Sequence, residues 1–143
     1  MRKSPVESLR DGIAILDSLL QSYGFKFQMG GSGHSSGGPF AFGNYVSGER
    51  KLELHYRHSL GLVTYHYGDI TMDHESYMRA ILGSKGGNRY PGFSDEPLAP
   101  FEGLKFDLEN FASAFLIGDK KQFAQYASIA DKWHRKSGVA RLP

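Results

Sequence analysis

Apolar positions fall at helical spacing toward both ends of the chain and alternate one by one in between. Leu9, Ile13, Leu16, Leu20 and Tyr23 share one face of a helix. Ser4-Pro5-Val6-Glu7 reads as its start: serine caps, proline suits the first helical position, and Glu7 reaches back to close a capping box. Gly24 can adopt the left-handed conformation that ends such a helix. Beyond it the period drops to two. Phe25 and Phe27 alternate with Lys26 and Gln28, and after a glycine-rich break at 30–38 Phe40, Phe42 and Tyr45 continue in the same style up to a Ser47-Gly48 turn.

Two further strands follow. In 51–58, KLELHYRH, Leu52, Leu54 and Tyr56 alternate with Glu53, His55 and Arg57, and 62–67, LVTYHY, comes after a turn at Ser59-Leu60-Gly61. An even loop pairs Glu53 with His66, Leu54 with Tyr65, His55 with Thr64 and Tyr56 with Val63, which keeps each face uniformly apolar or polar. Thr71 to Glu75 offers caps for a short helix with Tyr77, Met78, Ile81 and Leu82 on one side, ending at Gly83. A long loop at 83–100 carries Tyr90-Pro91-Gly92-Phe93, whose aromatics are expected to fold back over the core. Phe101, Leu104, Leu108, Phe111 and Phe115 mark a helix ending at Gly118, and Asp119 caps a last one with Phe123, Ala127, Ala130 and Trp133 buried.

Consecutive strands joined by short turns predict an antiparallel meander. The expected fold is therefore α+β: four strands gathered in 25–68, packed on one face by about four helices. The 143 residues match one domain, 1–143, and an apolar share of 40% is enough to form its core. The absence of cysteine removes disulfides, thiolate metal sites and cysteine nucleophiles. No apolar run has the length of a membrane span or the form of a signal peptide, so the expected location is cytoplasmic, with no membrane partner. Net charge is +2, and 120–143 holds six Lys or Arg against one Asp. Lys132, His134, Arg135 and Lys136 suit a helix C-terminus, and no aromatic residues are interleaved among them for stacking bases, so nucleic acid is not the expected partner.

Gly33-His34-Ser35-Ser36-Gly37 matches the serine-hydrolase elbow pattern, yet an elbow needs a helix directly after the serine. Gly37-Gly38-Pro39 and the alternating phenylalanines favour a strand there, so Ser35 is read as no nucleophile and the glycines as a flexible hairpin loop. The same proline stands where a phosphate loop needs lysine. The richer candidate is the polar face of the 51–67 hairpin: Glu53, His55 and His66, with Arg57 and Thr64 beside them, and His58, Asp69, Asp73 and His74 near in sequence. The expected role of that face is to meet a protein partner or a second copy of the chain, with no cofactor and no catalysis. The alternative is a metal-dependent enzyme or small-ligand binder in which Glu53, His55 and His66 hold a divalent cation.

Overall fold

The computed structural model describes residues 3–92 and 94–141, with side chains in the last helix described as far as Trp133. Helix α1 (Pro5–Leu20) starts on the capping box: the Ser4 side chain accepts from the Glu7 N–H and Glu7 returns a bond to the Ser4 N–H. A single 3₁₀ turn and Gly24, at φ 84°, then redirect the chain into the sheet. The sheet has five strands in sequence order, all antiparallel: β1 (Lys26–Ser35), β2 (Gly38–Ser47), β3 (Arg50–Tyr56), β4 (Leu60–Tyr67) and β5 (Ile70–Asp73). Helices α2 (His74–Leu82), α3 (Ala99–Phe111), α4 (Ser113–Leu116) and α5 (Lys120–Arg141) complete the chain. The α+β class with an antiparallel sheet is as expected, with one more strand than the alternation predicted.

The extra strand, β5, is four residues long and follows a two-residue turn, Gly68-Asp69, in which Gly68 takes φ 62°. It ends where Asp73 caps α2 by accepting from the Ser76 N–H at 2.7 Å. The expected helix through Phe115 is interrupted at Ala112, so that Phe115 belongs to the separate α4. The interruption lets its ring reach Tyr65 and Phe25, with centroids 4.9 and 5.5 Å away, while its N–H donates to the Tyr77 hydroxyl. As expected, Asp119 caps α5 by accepting from the Gln122 N–H. His134, Arg135 and Lys136 lie outside the described side chains.

The glycine-rich segment is not a flexible loop. Residues 30–35 belong to β1, and only Ser36 and Gly37 turn the chain. The glycines are required because phenylalanine rings of β2 lie across them: a Cβ at Gly30 would sit 2.3 Å from the Phe42 ring, and one at Gly33 would sit 3.2 Å from Phe40. The relation is reciprocal at Gly43, where a Cβ would fall 2.3 Å from the Phe27 ring. Strand β1 thus gains cover from its neighbour's aromatics, with a bulge between Met29 and Gly31.

The hairpin register also differs from expectation. Strand β4 begins at Leu60, so Leu52 faces Tyr65, Glu53 faces Thr64 and Leu54 faces Val63, before a bulge leaves Tyr56 opposite Leu60. A slide of two residues preserves which side chains share a face, so alternation alone does not distinguish the two registers.

Among the described residues, helices meet one side of the sheet. Phe101 of α3 stacks on Tyr56, His74 and Tyr77 of α2 contact Tyr65, and Phe123 of α5 meets Tyr67. Tyr45 of β2 donates its hydroxyl to the Ile13 carbonyl of α1. Leu9, Leu16, Leu52, Leu54 and Phe101 are fully buried in this layer, each contributing about 1.5–3 kcal/mol by leaving water. Tyr90 closes the core as the sequence suggested, at 6% exposure, while Phe93 lies outside the described residues. No helix among the described residues is long and apolar enough to cross a membrane.

Candidate functional site

The face of the sheet turned away from the helices carries the polar positions of β3 and β4. Alternation places Leu52, Leu54 and Tyr56 in the core, so Glu53 and His55 project outward, as do Thr64 and His66 opposite Val63, Tyr65 and Tyr67. Three of the five expected site residues converge. Glu53 Oε2 lies 2.7 Å from His55 Nε2, and Glu53 Oε1 lies 2.9 Å from His66 Nε2. The His66 contact is diagonal across the ladder, which long side chains span. The three side chains are 28, 41 and 23% exposed for Glu53, His55 and His66.

The His55 bond holds the Glu53 carboxyl below the usual carboxylate range, against the opposing effect of partial burial, and His66 adds to it. With Glu53 ionised, both imidazoles donate from Nε2. His66 Nδ1 lies 3.2 Å from the Thr71 hydroxyl on its other side. His55 is held from the other side by the Phe42 ring, stacked at 5.5 Å and 17°. Asn44 sits opposite Glu53 in the ladder, and its Oδ1 is buried with no hydrogen-bond partner among the described residues.

The other candidates have different occupations. Arg57 turns to the β1–β2 tip, donating to the Gly38 carbonyl and the Ser35 hydroxyl at 2.8 Å each, with its guanidinium 5.6 Å over Phe40. Thr64 stands between Glu53 and Asp73 in the ladder, with no side-chain bond into the cluster. His58 is exposed in the turn after β3, Asp69 pairs with Lys120 at 3.2 Å, Asp73 caps α2 and His74 is buried, so none of the four enlarges the cluster.

A second polar constellation escaped the sequence reading. His74, 2% exposed, places Nδ1 2.7 Å from the Tyr65 hydroxyl and Nε2 2.9 Å from Oδ2 of the fully buried Asp107. Asp107 also accepts the backbone N–H groups of Arg89 at 2.6 Å and Tyr90 at 2.8 Å. Burial, with Tyr77 and Asp107 nearby, keeps the Tyr65 pKa well above its ordinary value, so its hydroxyl stays protonated and donates to Nδ1. The Nε2–H of His74 is then directed at Asp107. The Tyr65 hydroxyl, both His74 nitrogens and both Asp107 oxygens thus have partners, which ties β4, α2, α3 and the 83–98 connection together. The available signal was Asp107 itself, three residues after Leu104 and beside Leu108 on the apolar stripe of α3.

Chemically, the outer cluster can pass protons among Thr71, His66, Glu53 and His55. It is flat, however. A hollow of about 740 Å³ at the β5 edge takes in Thr64 and Thr71 and a groove of about 1270 Å³ lies by the β1–β2 tip, but neither includes Glu53, His55 or His66. Among the described residues no three of His, Cys, Asp or Glu are grouped to hold a metal ion. Ser35 lies in a strand–turn–strand tip with no helix after it. No family model matches the chain, and neither a curated protein nor a solved structure is detectably similar to it.

Proposed function

We propose that this chain is a non-catalytic interaction domain whose open sheet face docks a protein, a second copy of the chain included. The observation that carries the reading is the one-sided packing of the sheet: among the described residues the helices cover one face, and the other presents preorganised groups, with no cavity at Glu53, His55 and His66. Phe42 and His55 are locked together, Glu53 fixes both imidazoles, and Leu62 stands 59% exposed between them and the β5 edge. Rigid rings and already oriented donors lose little freedom when a flat partner covers them.

Native mass spectrometry of protein purified without metal resin or chelator tests this. The expected species is a dimer or a complex with another polypeptide, lost in a Leu62→Lys variant that keeps its circular dichroism. An ion or small molecule retained by wild type and lost on His55→Ala with His66→Ala would overturn the reading. It would support instead the alternative, a divalent cation held by Glu53, His55 and His66, for which both imidazoles must turn from the carboxylate toward the metal.

A further inference from the structure

We infer that the distal half of β1, together with the groove beside it, accepts an extended segment of a partner polypeptide as an added strand. This surface is separate from the open sheet face and does not depend on the reading above. Strand β1 is the end of the sheet, so one side of it is unpaired by any other strand. Beyond the bulge, the two-residue turn at Ser36-Gly37 fixes the hydrogen-bond phase: Ser35 with Gly38, Gly33 with Phe40 and Gly31 with Phe42 exchange bonds. Ser32 and His34 therefore direct their N–H and C=O groups to the free side. Pro39 agrees with this phase, since it lies opposite His34, where β1 asks for no N–H from it.

The same half-strand overhangs the helix layer. Under it runs the groove, walled by Val6 at the start of α1, by Tyr56 and by Leu98 and Pro100. The groove, of about 1270 Å³, is open along its length beside the free edge of β1, as an extended segment requires. A strand added to β1 would drop alternate side chains between Ser32 and His34 on one side and α1 on the other. Backbone bonds would supply affinity and the groove would supply selectivity.

Charge narrows the occupant. Lys3 pairs with Asp11, and Arg57 is engaged by Ser35 and Gly38, whereas Asp95 and Glu96 on the opposite wall have no ion pair among the described residues. The segment that fits has apolar side chains at alternate positions and a lysine or arginine facing Asp95 and Glu96.

Selection of random linear peptides against the full chain tests the proposal. Enriched sequences are expected to show the alternation with a basic residue, to lose at least tenfold in affinity for Asp95→Lys with Glu96→Lys, and to lose as much for His34→Pro. That last change removes one outward N–H at an edge position that tolerates proline. Amide exchange on wild type, independent of any variant's folding, should show Ser32 and His34 slowed by the bound peptide. Failure to enrich any sequence, equal binding to a folded His34→Pro variant, or slowing confined to another strand would overturn it.

Discussion

Replacing Asp107 gives the sharpest test of how the loop and helices are held. The carboxylate accepts three N–H groups, from His74, Arg89 and Tyr90, at full burial. Asp107→Ala leaves all three donors without partners, and removing one member of a buried charged network costs about 3–5 kcal/mol. That is a large share of the roughly 5–15 kcal/mol that stabilises an ordinary domain. Asp107→Asn keeps the shape but turns one acceptor into a donor. Placing its oxygen where Oδ2 stands preserves the bonds from His74 and Tyr90 and sets an N–H against that of Arg89, a loss of about 1–3 kcal/mol. Urea unfolding followed by tryptophan and tyrosine fluorescence reads both. With a slope near 2 kcal/mol per molar, the alanine variant should unfold about 2 M earlier and the asparagine variant about 1 M earlier. An alanine variant within about 1 kcal/mol of wild type would refute the account of Asp107 as the hub, because unpaired buried donors carry at least that cost.

Other consequences follow from the same structure. Gly12→Ala should destabilise by about 1 kcal/mol or more despite the better helix propensity of alanine, because its Cβ would fall 2.3 Å from the buried Phe101 ring; thermal unfolding measures it. Glu53 has a folded pKa below its unfolded one, so its contribution is full above the ordinary carboxylate pKa and is lost as pH falls through the lowered value. The stability gap between wild type and Glu53→Gln should accordingly shrink under acid, and a gap that widens would contradict the hydrogen-bonding scheme. Tyr90, whose hydroxyl donates to the Leu60 carbonyl at 2.8 Å, has its pKa pushed up to about 12 by burial, so stability should decline as pH rises from about 10 toward that value. Tyr90→Phe should lessen that decline in alkaline unfolding.

Local signals were the most legible. The capping box at Ser4 and Glu7 and the cap at Asp73 depend on residues three positions apart, which any reading along the chain can see. The polar and apolar faces of β3 and β4 were also legible, because alternation is a property of each strand alone. What alternation does not carry is register: Glu53 lies across from Thr64 rather than His66. The Glu53, His55 and His66 cluster still forms, since a glutamate reaches a diagonal neighbour. Strand β1 was obscured by its glycines, whose meaning appears only once Phe40 and Phe42 are folded across them. The Tyr65, His74 and Asp107 chain joins residues far apart in sequence, and a polar residue on an apolar stripe was its single local trace.

The central claim is that the bare sheet face is covered in use, and contact in the cell that makes the protein tests it most directly. A photoreactive residue at Leu62, exposed on that face, is compared with one at Gln125, exposed on α5. Discrete protein adducts from position 62, with none from 125, are the predicted result. No adduct from 62, or the same adducts from both, would contradict the interaction reading.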